Sequence, residues 1–221
     1  MKRRSFIKNS MLGLSALLIV SKLEAISALT KIKHTSEDYK NKIIEIIRSL
    51  KKEGTNLVKK IMNGKKYKLD PSHHYPKDGG IKDSKTGYQL FFHAHRENEY
   101  GHFHTFATDE NGELIHLLLI SMNEDGELIG LATVNRWVTG DTFVKAEKLI
   151  SLSSNFYIDP SLYSDSRVID FINTVFKAYP DLISDLYIER DIKINEYVNT
   201  YYREPFEDRE LEILSYKKIK L

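Results

Sequence analysis

Four histidines stand within twelve residues of the chain, in the stretch HAHRENEYGHFH. They form two His-x-His pairs, His93 with His95 and His102 with His104. Side chains alternate between the two faces of a β-strand, so the two members of each pair share a face. Imidazole nitrogen is a ligand for Zn, Fe, Mn, Ni and Cu. The spacing therefore predicts a divalent-metal site on a β-hairpin, with these four histidines as ligands and the identity of the metal undetermined.

The loop between the pairs decides whether they face the same way. A two- or four-residue loop around Asn98-Glu99 places His95 opposite His102 and His93 opposite His104. An odd loop would put the pairs on opposite faces unless a bulge restored the register. With the even loop, the residues that alternate with the histidines face a helix-covered core: Phe92, Ala94 and Phe103.

Neighbouring imidazoles repel each other when protonated, and burial disfavours their charge further, so the cluster is expected to be mostly neutral near neutral pH. Neutral imidazole is the form that binds metal. Three histidines, or two with a carboxylate, could hold an ion and leave a position for water or substrate. Two metal-free alternatives remain open, a pocket of acid–base histidines and a structural hairpin. The chain has no Cys, which excludes disulfides and Cys-ligated metals.

Other polar residues are candidates for the same site. His74 and Asp83, in the Pro- and Gly-rich stretch before the hairpin, are the auxiliary metal candidates, as ligands or as partners that orient a ligand. An ordinary surface loop is the alternative. Glu99 is a catalytic candidate by position but is expected to be solvated in the turn. His116 lies inside the apolar run LIHLLLI and is expected to be a satisfied core histidine.

The stretch NRWVTG, from Asn135 to Gly140, follows a predicted strand and holds the only tryptophan. A strand end often presents polar groups to a pocket, and an Arg side chain binds anionic or carbonyl-bearing ligands with planar, paired donors. Asn135 and Arg136 are therefore candidates for substrate contacts or catalysis. Core packing by Trp137 and a surface ion pair for Arg136 are the alternative.

The elements that must position these residues can be predicted from periodicity. Helical spacing of apolar residues covers 35–62, interrupted near Gly54. Short β-rich runs joined by turn sequences give a meander over 88–136. Helical segments follow over 141–202, and a final strand over 210–216. This order predicts a single α+β domain over 29–221, an antiparallel β-meander of about four or five strands packed against N-terminal and C-terminal helices.

The first 28 residues have the layout of a signal peptide, with a basic start, an apolar run and small residues near Ala25 and Ala28. Residues 3–8, RRSFIK, resemble the twin-arginine export motif. The apolar run is short for a membrane span. We therefore expect a periplasmic or exported protein that uses the twin-arginine translocase as a partner and has no permanent membrane anchor. A membrane tether through an uncleaved signal is the alternative.

The basic residues are concentrated in this N-terminal segment. Its net charge is +4 against +2 for the whole chain, so the rest carries −2. A domain of this charge has no general electrostatic attraction to nucleic acid, and none is expected as a partner. A small-molecule ligand is the expected partner of the mature domain.

Several motifs together resemble a bacterial family known as domain of unknown function 6969. They occur in the order HYP at His74, HAH at His93, GHFHTF at Gly101, NRWVTG at Asn135 and FEDR at Phe206. Tyr100 departs from the family pattern, which often has a histidine before the glycine. The resemblance implies no activity. It implies that the hairpin, the HYP loop and the NRWVTG segment form one site.

The functional hypothesis is an exported protein with a histidine-rich metal site. As an enzyme it would be a metal-dependent hydrolase or an oxidoreductase of small molecules. A non-catalytic metal-handling or ligand-binding protein is the second hypothesis, and a metal-free structural domain is the third. An open coordination position would favour the enzyme, and histidines on different faces would favour the structural domain.

Overall fold

A computed structural model describes residues 35–221. The helices are α1 (35–52), α2 (Leu57–Met62), α3 (Arg136–Thr139), α4 (Ala146–Ser154), α5 (Ser166–Ala178) and α6 (Pro180–Tyr201), with a 3-10 helix at Pro160–Leu162. The strands are β1 (Asp70–Tyr75), β2 (Ile81–Lys82), β3 (Tyr88–Ala94), β4 (Gly101–Thr108), β5 (Leu114–Met122), β6 (Leu128–Val134) and β7 (Ile213–Lys218). The signal peptide predicted over 1–28 lies outside the described residues.

The strands form one antiparallel sheet of seven in the order β1-β3-β4-β5-β6-β7, with β2 also paired to β3. The predicted α+β class and the meander are confirmed, but the sheet is larger than the predicted four or five strands. The difference lies in the Pro- and Gly-rich stretch predicted as a loop. Its ends pair with opposite halves of β3, Tyr75 with Phe92 and Ile81 with Leu90. Backbone pairing to an exposed edge overrode the local turn composition.

The N-terminal helical segment is divided where the sequence predicted. Helix α1 buries Ile43, Ile46 and Leu50 at helical spacing, and Gly54 follows it with a φ of 71°. Asn56 then caps α2, because its side-chain oxygen accepts a hydrogen bond from the Lys59 amide. Both helices pack on the sheet as part of the main core.

The C-terminal helices cover the same face of the sheet. Helix α4 contacts β5, and α6 contacts β6 and β7. Two hydroxyls fix the helices to the strands: Tyr88 donates to the Leu152 carbonyl and Ser215 donates to the Leu186 carbonyl. Among residues 35–221, no helix is both long and apolar enough to cross a membrane.

The two faces of the sheet differ in what covers them. On the helix-covered face, Phe92 and Phe103 belong to the main core as predicted, together with Leu90. Ala94, the third residue predicted to face this core, is buried but lies outside the main cluster. The opposite face holds a much smaller apolar cluster of Leu119, Ala132 and Val134 with Val138 and Ile213. Loops and the short helix α3 cover this second face, which carries the histidines.

Candidate metal centre

The hairpin of β3 and β4 brings the histidines together in a register that differs from the predicted one. His93 lies opposite His102, and Phe91 lies opposite His104. The prediction that His95 opposes His102 is wrong, because β3 already ends at Ala94 and six residues connect the strands. Six is an even number, so the faces are preserved and His93, His102 and His104 project from one side.

The imidazole rings form a compact group. His95 lies just beyond the end of β3. Its ring centroid is 4.8 Å from that of His93 and 5.1 Å from that of His102. Ring nitrogens of His93, His95 and His102, one from each, all lie within 4.8 Å of one another, so the three could hold a metal ion. His104 extends the group, with its Nε2 atom 3.1 Å from His102 Nε2.

The nitrogens that face away from the centre have partners of their own. His93 Nδ1 lies 3.0 Å from the Pro71 carbonyl oxygen, to which it donates. His102 Nδ1 lies 2.5 Å from a Glu99 carboxylate oxygen, and His104 Nδ1 lies 2.8 Å from His116 Nε2. A carbonyl or carboxylate on the outer nitrogen is the usual support of a metal-bound histidine, because it fixes the ring and its tautomer.

Glu99 is therefore not the solvated turn residue that the sequence predicted. Its side chain is 5% exposed, and its carboxylate also lies 3.7 Å from Arg96. Burial raises the pKa of Glu99, while Ser121 and Arg96 act in the opposite direction. The six-residue connection is long enough for Glu99 to fold back onto the sheet. The prediction of a solvated Glu99 assumed a shorter turn.

His116 contacts His104 because β5 contains a β-bulge. Thr105 pairs with Leu118, but Phe106 pairs with His116, so Leu117 is an extra residue in β5. Without this bulge, His116 would oppose Ala107 and face the helix-covered core. It is buried, as expected, but the predicted core role missed its contact with His104.

The cluster is built to stay uncharged. Burial lowers the pKa of His93 to about 3, with a further effect of His102. Burial and neighbouring histidines hold the pKa values of His102 and His104 well below the usual range. Burial also lowers the pKa of His95. These directions agree with the expected neutral cluster, the protonation state that metal binding requires.

The two auxiliary candidates are placed very differently. His74, in β1, stacks on Phe91 at 4.1 Å and its ring lies 5.4 Å from that of His93, so it borders the cluster. Asp83 lies by the opposite end of β3. Its carboxylate accepts hydrogen bonds from the amides of Lys85, Thr86 and Asp159. These bonds hold a turn and a loop, and give no support to a metal-related role for Asp83.

Asn135 and Arg136 serve the fold in this structure. The buried Asn135 amide donates to the carbonyls of Pro205 and Leu211, and its oxygen accepts from the Arg136 amide. The exposed Arg136 side chain donates to the Asp141 carbonyl. The substrate contacts predicted for both are not supported by these positions. The NRWVTG segment instead anchors the FEDR segment over the histidine face.

A cavity of about 390 Å³ lies beside the cluster, between the hairpin loop and β7. Glu99 forms part of its wall and also contacts His102. On the far side of His104, His116 lines a second cavity of about 10 Å³, which has room for about one water molecule. The larger cavity is the one that a small molecule could occupy.

The comparisons with known proteins agree with the sequence resemblance. The model of a family described as a domain of unknown function (DUF6969) matches residues 37–219. The chain therefore belongs to this family. No curated protein and no solved structure matches the chain.

Proposed function

We propose that this protein binds one divalent metal ion through His93, His95 and His102 and uses it to hydrolyse small molecules. The family is described only as a domain of unknown function, so the proposal rests on the site. The observation that supports this most directly is the arrangement of the nitrogens. Three imidazoles converge, while the outer nitrogens of His93 and His102 are held by the Pro71 carbonyl and Glu99.

The closest pair supports a cation at this point. The Nε2 atoms of His93 and His102 lie 2.7 Å apart. When Nδ1 of both rings carries the proton, two lone pairs face each other, and either a proton or a metal ion must lie between them. Two nitrogens on a tetrahedral zinc lie roughly 3.3 Å apart, given bonds of about 2.0 Å. Binding therefore requires the rings to separate by roughly half an ångström.

The ligand set favours hydrolysis over redox chemistry. Three neutral imidazoles leave the full double charge on the ion, and the Glu99 carboxylate is on the outer nitrogen of His102. A divalent metal held by three histidines acts as a Lewis acid and makes water nucleophilic near neutral pH. Within this proposal, His104 is a fourth ligand or a neighbour that shields the centre from solvent.

Two measurements on one sample test the proposal. Elemental analysis of the untagged full chain is expected to give one ion per chain, lost when His93 and His102 are both replaced by Ala. The matched control is His73→Ala, a histidine in β1 outside the cluster. Hydrolysis of para-nitrophenyl acetate is then expected to follow metal content across zinc-loaded, stripped and reconstituted protein.

The outcomes separate the three hypotheses. One ion with metal-dependent hydrolysis supports the proposal. One ion without hydrolysis of this ester or of a para-nitroanilide amide rejects the hydrolase and leaves a metal-handling protein. No ion after reconstitution with zinc, manganese or ferrous iron, in a protein with an intact circular dichroism spectrum, rejects the metal centre itself.

A further inference from the structure

The cavity beside the cluster has two chemically different walls. The hairpin loop contributes Arg96, Glu97 and Glu99, and β7 contributes Ile213 and Tyr216. Its volume of about 390 Å³ is within the range of small-molecule sites. Because the wall formed by the hairpin loop is charged and the facing wall, formed by β7, is largely apolar, the cavity suits a ligand with a polar end and an apolar end.

Polar atoms around this cavity lack hydrogen bonds. Among the described side chains, four buried nitrogen or oxygen atoms make no hydrogen bond, and one each belongs to Arg96, Ser121 and Glu212. Two of these are ion-paired instead, because Arg96 Nη1 lies 3.7 Å from Glu99 Oε1 and Glu212 Oε1 lies 3.0 Å from Arg96 Nε. The Ser121 hydroxyl lies beside the Glu99 carboxylate and lowers its pKa, so it has a polar neighbour within the protein. The 3.7 Å contact between Arg96 and Glu99 is too long for a hydrogen bond, so a ligand that bonds to the exposed part of the Arg96 guanidinium adds a partner that the protein does not supply.

The charges around the cavity select among ligands. Arg96 forms ion pairs with Glu99 at 3.7 Å and with Glu212 at 3.0 Å, and its side chain is still 22% exposed. Glu97 adds a third carboxylate at the rim. A purely anionic ligand would face three carboxylates, and a purely cationic one would face the guanidinium. A ligand with both charges matches both groups.

The apolar wall is made possible by a glycine. A Cβ atom at Gly130 would lie 2.4 Å from the Tyr216 hydroxyl oxygen and 2.6 Å from its ring, so the ring rests where a side chain would otherwise stand. Tyr216 remains 46% exposed. Together with Ile213, it offers an apolar surface opposite the charged loop.

We propose that this cavity binds a small zwitterion of the α-amino-acid type. The carboxylate pairs with Arg96, the ammonium lies among the carboxylates, and an aliphatic side chain packs against Ile213 and Tyr216. The inference deepens the proposed function, because Glu99 lines the cavity and also holds His102, and it makes amino-acid derivatives the substrate class. The binding itself does not require the metal.

A set of three matched probes tests the charge requirement. L-leucine has both charges, isopentylamine has only the ammonium and isocaproate has only the carboxylate. Calorimetric titration of the full chain, metal-free and zinc-loaded, is expected to show leucine binding in the millimolar range or tighter. Each single-charge analogue is expected to bind at least about tenfold more weakly.

Variants on the exposed surface keep the test independent of folding. Glu97→Lys reverses one charge at the rim and is expected to weaken leucine binding by about tenfold. Glu110→Lys makes the same change in the exposed turn after β4 and is expected to leave leucine binding unchanged. Tyr216→Ala removes the apolar wall and is expected to weaken leucine more than glycine.

Three results would overturn the inference. These are no leucine binding by folded protein, equal binding of leucine and a single-charge analogue, or equal effects of the two lysine variants. Metal content is measured in the same samples. Leucine binding by a protein that takes up no zinc would reject the metal centre and keep the cavity, and zinc uptake without leucine binding would do the opposite.

Discussion

Glu99 and His102 are three residues apart in the chain, and the carboxylate of one meets Nδ1 of the other at 2.5 Å. This contact lies on the side of the imidazole away from His93, whose Nε2 atom faces His102 Nε2. One buried carboxylate thus determines which nitrogen of His102 is presented to the centre of the cluster.

Replacement of Glu99 by Gln is expected to weaken metal binding by about 10–100-fold, because the amide orients the ring but no longer increases its basicity. Competition with a chelating dye measures the affinity. Glu97→Gln changes an exposed residue of the same loop and serves as the control. Equal affinity of wild type and Glu99→Gln would contradict a supporting role for this carboxylate.

Metal binding is expected to release about one proton per ion. The 2.7 Å approach of the two Nε2 atoms requires a proton between them in the metal-free protein, whether the second proton of the network lies on His102 Nδ1 or on Glu99. The ion replaces that proton. Calorimetry in buffers of different ionisation enthalpy gives the number released, and a value of zero near neutral pH would show that the two nitrogens are not bridged by a proton.

The metal-free protein is expected to lose stability as the pH falls below about 6.5, the value for an ordinary histidine. Burial lowers the pKa of His93 to about 3 and of His116 to about 4. Between these values and 6.5, the unfolded chain binds protons that the folded chain does not. Each such histidine lowers the free energy of unfolding by up to about 1.4 kcal/mol per pH unit.

Urea unfolding at about pH 7 and about pH 5 measures this dependence. His116→Gln is expected to show a smaller loss of stability than wild type over this interval. His73→Gln, which changes a histidine outside the cluster, is expected to keep the wild-type dependence. Identical curves for all three proteins would mean that the buried histidines do take up protons in the folded state.

Gly101→Ala is expected to destabilise the fold by about 1–3 kcal/mol and to weaken metal binding. An added Cβ would lie 2.4 Å from the Phe92 ring and 2.8 Å from the His93 carbonyl oxygen, so β3 and β4 must move apart. Gly130→Ala is the comparison, because its obstacle is the movable, half-exposed ring of Tyr216. Chemical denaturation of both variants is expected to show the larger loss for Gly101→Ala.

Asn135→Ala is expected to destabilise the protein by about 1–3 kcal/mol, since the side chain's hydrogen bonds to the carbonyls of Pro205 and Leu211 are lost. Each carbonyl keeps one other donor, the Asp208 amide and Trp137 Nε1 respectively. Arg136→Ala, at the exposed neighbouring position, is expected to change stability by less than about 1 kcal/mol. Limited proteolysis would show cleavage near 203–212 only in Asn135→Ala. If Arg136→Ala lowered the rate of metal-dependent hydrolysis without a change in stability, the result would support the catalytic role predicted for Arg136 from the sequence.

The sequence allowed the shared face of the histidines to be predicted, because parity along a strand is independent of the exact turn. It did not allow the register to be predicted, since the end of β3 depends on how the six-residue loop packs. The position of Glu99 follows from that packing. His116 depends on one extra residue in β5, and local composition gives no signal of a bulge at Leu117.

The roles of Asn135 and Asp83 show a second limit. From the sequence alone, both residues are candidates for ligand contacts. In the structure, the Asn135 amide donates to two carbonyls and the Asp83 carboxylate accepts from three amides. Only the tertiary structure shows that backbone groups already use them. The class of fold was accessible because it depends on periodicity over many residues.

The contrast between the two faces of the sheet has a practical consequence for protein engineering. The helix-covered face supplies most of the apolar packing, while loops lie over the histidine face. Libraries confined to exposed positions of these loops, such as Glu97, Asn98, Glu207 and Glu210, should therefore tolerate broad sequence variation without loss of folding. The domain is a ready scaffold for altering metal preference or ligand choice around a preformed histidine cluster.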